Sequence, residues 1–228
     1  MTDHQLPAWL RPLRNSLSEA ERRFAAAPTQ GRPAGVLVLF GEDRRGPDLL
    51  FIERAASLRS HPGQVAFPGG GLEDGDADLV AAALREAAEE TGLDPTGVEV
   101  FGELSPLDLE VSGFQVTPVL GWWRQATPVA VVDPGEVAAV RRVPITELTA
   151  PQNRYTMVHP SGRRGPGFQV DDLLIWGFTA YVLDNLLTRG SWQRPWNRDR
   201  TMAVPSRYLG RQPIAGPDLD APTGAEPA

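Results

Sequence analysis

A chain of 228 residues, 41% hydrophobic and 22% charged, is long enough for one sizeable core and has the composition of a soluble globular domain. It contains no cysteine, and its 22 basic residues are all arginine, which excludes disulfides, thiolate zinc sites, cysteine nucleophiles and a Schiff-base or P-loop lysine. A net charge of −7 argues against a general nucleic-acid binder, whereas a local arginine cluster can still hold a small phosphorylated molecule.

The N-terminus, Met1-Thr2-Asp3-His4-Gln5, has no basic start followed by an apolar stretch. No apolar run approaches the roughly 20 residues that a membrane-spanning helix needs. A cytoplasmic protein with no membrane partner is expected. Residues 5–27 carry Leu6, Trp9, Leu10, Leu13, Leu17, Ala20 and Phe24 at mostly helical spacing, which predicts an amphipathic helix followed by a linker at Pro28–Pro33. Residues 1–30 are therefore set apart from a main domain at 31–190. Strands are expected at Gly35–Phe40 and Leu49–Ile52, joined as a hairpin, and at Gln64–Phe67, which runs into the loop Pro68-Gly69-Gly70-Gly71.

A helix is predicted over Ala77–Thr91, with Asp76 as N-cap and Gly92 as its stop. Strand-like segments follow at 97–103, 113–123 and 136–143, then a helical turn at Ile145–Leu148 and a long helix at 172–188. The extension at 191–228 ends in about 20 residues rich in Pro, Gly and Asp, expected to be poorly ordered. Trp122-Trp123 and Trp192…Trp196 suit either a subunit contact or a cover for the core, and the cover is favoured. There is no internal repeat and no second core, so a single α/β domain is the economical reading.

The chemistry concentrates in Arg85-Glu86-Ala87-Ala88-Glu89-Glu90. On a helix, Glu86 and Glu90 lie roughly 40° apart, with Glu89 about 60° to the other side of Glu86. Three carboxylates on one stripe near a helix C-terminus repel one another and oppose the helix dipole, by about 0.3–1 kcal/mol each for the dipole effect. Arg85 can pair with Glu89 at i,i+4 and leaves the other two. A hard divalent cation would offset them, since Mg²⁺ favours carboxylate and water oxygens and bridges phosphates. The competing interpretation of an isolated E-x-x-E-E is a solvated acidic face. Gly69, Gly70 and Gly71, directly before this helix, favour the metal because they let backbone approach a ligand closely. The three histidines, His4, His61 and His159, are too far apart in sequence to form a local metal motif.

Gly70–Leu93, ending Arg85-Glu86-Ala87-Ala88-Glu89-Glu90-Thr91-Gly92-Leu93, resembles the box of the Nudix hydrolases, whose second half reads R-E-U-x-E-E-x-G-U. Ala87 is a small occupant of the apolar position. The glutamate expected earlier in the box falls on Ala77, flanked by Asp76 and Asp78. Upstream, Arg54, Leu58, Arg59, His61, Gly63, Val65 and Phe67-Pro68-Gly69-Gly70 resemble the signature of the coenzyme A pyrophosphatase branch. Ser112–Val119 and Ile175–Ala180 also look like that branch. The threonine of the signature is missing, its place taken by Phe51 or Ile52.

This resemblance implies an α/β/α sandwich with a mixed sheet and a metal-dependent diphosphatase. It implies Glu86 and Glu90 as the main Mg²⁺ or Mn²⁺ ligands and Glu89 as a third ligand or activator of the attacking water. The Gly69 carbonyl would complete the site, and Arg85 would orient the glutamates. Cleavage of coenzyme A or its thioesters is the implied activity. The alternatives are another nucleoside diphosphate derivative (ADP-ribose, NADH, a dinucleoside polyphosphate) or a non-catalytic nucleotide-binding module. Coenzyme A carries a 3′-phosphate that needs a further cation, for which Arg54 and Arg59 are candidates, with His61 and Gln64 behind them. Glu103, Glu110 and Glu136 are the candidates for a separate general base. The expected partner is the small-molecule substrate alone, with the protein a monomer or homodimer.

Overall fold

The computed structural model describes residues 6–22, 31–109 and 113–209. In chain order the elements are α1 (Arg11–Ser16), α2 (Glu19–Arg22), β1 (Arg32–Asp43), β2 (Gly46–Arg54), β3 (Val65–Ala66), β4 (Gly69–Gly71) and α3 (Leu79–Thr91). There follow β5 (Val98–Glu103), β6 (Leu107–Leu109), β7 (Phe114–Trp123), β8 (Val137–Pro144) and α4 (Ile145–Leu148). The last are β9 (Arg154–Val158), β10 (Arg164–Val170), β11 (Leu173–Ile175), α5 (Gly177–Arg189) and β12 (Thr201–Ala203). Among the described residues no helix is long and apolar enough to cross a membrane.

The main sheet runs β3-β2-β1-β7-β5, with β4 beside β1, β6 beside β7 and β8 beside β2. It is mixed, because β1 and β7 run parallel while the other pairs are antiparallel. Alternation along the central strands sends Leu37, Leu39, Leu50, Val119 and Trp123 to one face, where they meet Ala83 and Ala87 of α3. Val38, Phe40, Phe51 and Leu120 go to the other face and meet Leu10 and Leu13, Phe168 of β10, and Leu183, Leu186 and Leu187 of α5. A fully buried side chain of this kind contributes roughly 1.5–3 kcal/mol, so both helical layers are tied to the sheet by hydrophobic burial. The result is the α/β/α sandwich with a mixed sheet that the sequence predicts.

Helix α3 starts two residues later than expected. Asp78, not Asp76, is its N-cap and accepts a hydrogen bond from Ala81 N at 2.8 Å. The alanine-rich first turns favour helix strongly, and their small side chains let α3 settle close to β1. A Cβ on Gly35 of β1 would meet the Leu79 carbonyl oxygen at 2.5 Å and Ala83 Cβ at 3.2 Å. The glycine run expected as a loop is instead strand β4, paired with β1 in the register Gly35↔Gly70. That pairing satisfies its backbone groups beneath the helix.

Three other expectations are corrected. The amphipathic segment 5–27 is not one helix. Within its described part, Ser18 and Glu21 form a reciprocal cap, with Ser18 N to Glu21 Oε2 at 2.6 Å and Glu21 N to Ser18 Oγ at 3.2 Å, so α2 starts anew after an extended Leu17. The long helix predicted at 172–188 is strand β11 followed by α5, because Trp176 is extended and Gly177 has φ +62°. A second sheet, β11-β10-β9-β12, was not foreseen at all. Part of the C-terminal extension builds it: β12 joins β9 in parallel, and Val204 and Tyr208 are buried. The expectation of a poorly ordered tail at about 209–228 lies almost wholly outside the described residues.

The tryptophans cover the core. Trp123 is buried, while Trp122 and Trp192 pack on Trp9 at ring distances of 5.7 and 5.9 Å.

Candidate active site

The C-terminal half of α3 faces β4 and carries the acidic stripe. Glu90 is 6% exposed and buried as deeply as a core residue. Its Oε2 accepts a hydrogen bond from Gly69 N at 3.0 Å. Burial pushes its carboxyl up to about 7, opposed by that amide and by the Arg54 guanidinium, and reinforced by the charges of Glu86 and Glu136. Glu86 lies against Gly70 of β4, its carboxylate filling the space that a Gly70 side chain would take. Burial raises its carboxyl too, against the lowering effect of Arg85.

Arg85 organises the outer edge of this stripe. Its guanidinium grips Asp76 with two bonds of 3.0 Å, donates to Glu86 Oε1 at 3.1 Å and Glu89 Oε2 at 3.2 Å, and reaches the Gly71 carbonyl at 3.1 Å. Asp76, one of the two aspartates that flank Ala77, thus pairs with Arg85. It reaches Arg85 from the turn before the helix, which also takes a bond from Glu73 N to Asp76 Oδ2 at 2.9 Å. The flanking aspartates were visible in the sequence, but which of them pairs was not. Glu89 is the outermost of the three, its side chain 61% exposed.

The signature stretch forms the adjoining wall. Arg54 ends β2, and its backbone closes the following loop through Arg54 N to Gln64 O at 3.0 Å and Gly63 N to Arg54 O at 3.1 Å. Crowding by protein lowers the His61 imidazole, the Arg54 charge lowers it further, and a side-chain hydrogen bond to Gln64 opposes both. His61 is nevertheless exposed. Arg54, His61 and Gln64 are therefore brought together on one loop, and the Arg54 charge also acts on Glu90. Arg54 Nε is buried with no hydrogen-bond partner, and Arg59 is exposed on the same loop.

The three candidate bases separate. Glu136 is exposed, its charge acts on Glu90, and its carbonyl accepts from Ala55 N at 2.8 Å. Glu103 is 5% exposed, and its carboxyl is raised by burial and then by Asp78, at the opposite end of α3. Glu110 lies outside the described residues.

Among the described residues no three His, Cys, Asp or Glu side chains are gathered as a ready metal cage, since Arg85 draws Glu89 and one oxygen of Glu86 towards itself. Two carboxylates still fit a hard cation. Mg²⁺ is commonly held by one or two carboxylates, with water and substrate phosphates completing its shell. A buried carboxylate such as Glu90, uncompensated by a contacting cation, is the donor that such an ion would relieve.

The sequence pattern of the NUDIX domain matches residues 29–160. A protein named Uncharacterized Nudix hydrolase NudL in Cronobacter sakazakii is 44% identical over 162 residues, covering 68% of this chain and 81% of that one. The protein of the same name in Enterobacter sp. is 41% identical over 170 residues, with the same coverage. Among solved structures, the Nudix hydrolase RenU from M. smegmatis aligns over 75% of this chain and 94% of its own, with a TM-score of 0.51 and 21% identity, a likeness of fold. Coverage and identity on this scale, with the box seated on α3, mean that the chain belongs to the Nudix hydrolase family.

Proposed function

We propose that the protein hydrolyses the diphosphate of coenzyme A or its thioesters, with Mg²⁺ or Mn²⁺ held by Glu86 and Glu90, releasing 3′,5′-ADP and the (acyl-)4′-phosphopantetheine. The observation that supports this reading is the continuity of two features: the upstream signature stretch, whose Arg54 closes its loop onto Gly63 and Gln64, runs through β3 directly into Gly69, and Gly69 N holds the buried Glu90 of the box.

A diphosphate repels an incoming hydroxide, and a bound divalent ion supplies the positive charge that shields the phosphoryl oxygens and acidifies water. The chain's own residues supply position. Gly69 N fixes Glu90, the Gly70 backbone fixes Glu86, and Arg85 with Asp76 keeps the helix stripe registered against β4. Arg54, beside Glu90, meets the diphosphate oxygens. Glu89, the most solvent-open carboxylate of the stripe, takes the proton from the attacking water. The water oxygen forms a bond to one phosphorus, the bridging P–O bond breaks, and the bridging oxygen leaves on the second phosphate. Two phosphate monoesters result.

Incubation with coenzyme A and Mg²⁺ or Mn²⁺, followed by chromatography, tests the reading. The expected product is 3′,5′-ADP. Brisk cleavage of ADP-ribose, NADH or a dinucleoside polyphosphate with none of coenzyme A would overturn the substrate assignment and keep the diphosphatase. No cleavage of any of them would favour a binding module.

A further inference from the structure

We propose that Arg207, delivered by the C-terminal extension, is a specificity-determining residue that binds the ribose 3′-phosphate of the substrate. The inference rests on the proposed reading of this site as one for a 3′-phosphorylated adenosine diphosphate derivative.

Such a substrate presents two separated anionic groups, the scissile diphosphate and the ribose phosphate. Arg54 serves the first, because it ends β2 beside β3, the strand that leads into Gly69 and so to Glu90. The second needs a cation further along the same wall. That wall continues from Arg54 through its backbone bond to Gly63, and Tyr208 packs directly there, its Cε1 3.8 Å from where a Gly63 Cβ would stand. Tyr208 is 6% exposed and lies against Trp176 at 5.9 Å between ring centroids, so it is a fixed platform. The Arg207 guanidinium sits 4.7 Å from the centre of that ring and donates to Tyr208 Oη at 3.2 Å.

Three properties suit this guanidinium to a phosphate. Arg207 is exposed. Among the described residues no carboxylate pairs with it, whereas Arg85, Arg142, Arg154 and Arg189 are each committed to at least one. It is also held by the Tyr208 ring and hydroxyl, so little side-chain freedom is lost when it forks onto phosphate oxygens. Arg59, exposed on the neighbouring loop, has no comparable platform.

The experiment compares KM for coenzyme A and for dephospho-coenzyme A in the wild type, Arg207→Ala and Arg207→Lys. Binding of 3′,5′-ADP and 5′-AMP to the same proteins is measured by calorimetry. In Arg207→Ala the ratio of KM for coenzyme A to that for dephospho-coenzyme A rises about tenfold, and Arg207→Lys restores part of it. An unchanged ratio, or equal losses on both substrates, overturns the assignment and marks Arg207 as a packing residue. If the wild type cleaves neither compound, the proposed reaction fails and calorimetry alone decides the inference. A preference for 3′,5′-ADP that Arg207→Ala removes supports it, and no preference in the wild type, or one that the variant keeps, overturns it.

Discussion

Two neighbouring glycines separate the integrity of the site from that of the fold. A Cβ on Gly70 would collide with the Glu86 carboxylate, the movable end of a side chain. Gly70→Ala should therefore leave the protein folded and push Glu86 out of place. Activity is expected to fall by at least about tenfold, the lower end of what misplacing a ligand's support costs, with the melting temperature nearly unchanged. Gly69 has φ +155°, and a Cβ there would strike the Gly35 carbonyl and Val36 Cα, which are strand backbone. Gly69→Ala should cost about 1–3 kcal/mol of stability, as overpacking does, visible in chemical denaturation. If Gly70→Ala instead lowers the melting temperature while specific activity is retained, the placement of Glu86 against β4 is wrong. Glu86, Glu89 and Glu90 were legible as a stripe because helical spacing alone puts them together. Their different burial was not legible, since it depends on how closely Gly35 lets α3 approach β1.

At the scale of elements, the sequence was most informative where a single period runs uninterrupted. Strands β1, β2, β5, β7 and β8 and helix α3 all lie where apolar spacing predicts them, to within a few residues. It failed where spacing continues across a break. The apolar positions of 5–27 pass through Leu17 without a gap, but the Ser18–Glu21 cap restarts the helix. Leu173 and Leu174 sit at spacing compatible with α5, yet pair with β10 as a strand. Strands β9 and β10 were not predicted, because short runs such as Arg164-Gly165-Pro166-Gly167 become strands only through their pairing partners. The cap also sets a pH response. Arg189 of α5 clasps Glu21 with bonds of 2.8 and 2.9 Å and is the main reason its carboxyl is lowered from 4.5 to about 2. A carboxylate depressed in the folded state contributes stability that is complete above 4.5 and is lost as pH falls towards about 2. Glu21→Gln should be less stable than the wild type at neutral pH, with the difference closing between those values in urea titrations. A difference that stays constant into acid would contradict the pairing.

The whole molecule is fastened by residues distant in sequence, which is why its second sheet and C-terminal wall escaped local patterns. Arg154 of β9 is fully buried, pairs with Asp184 of α5, donates to Gln193 at 3.2 Å and lies over the rings of Phe168 and Trp196 at 4.2 and 4.8 Å. One side chain thus joins the second sheet, α5 and the extension that carries Arg207. Arg154→Ala leaves Asp184 unpaired beside a cavity, so a loss of about 3–5 kcal/mol is expected in denaturant unfolding, and a loss below about 1 kcal/mol would refute that role. Within this frame Glu86 and Glu90 stand on α3 against β4, and the central claim is that they bind a divalent cation there. Manganese binding followed by electron paramagnetic resonance in the wild type, Glu90→Gln and Glu86→Gln tests it most directly. The account predicts a bound-Mn²⁺ fraction in the wild type that competes with Mg²⁺ and falls by at least about a hundredfold in affinity in either folded variant. Equal Mn²⁺ affinity in all three proteins would contradict it.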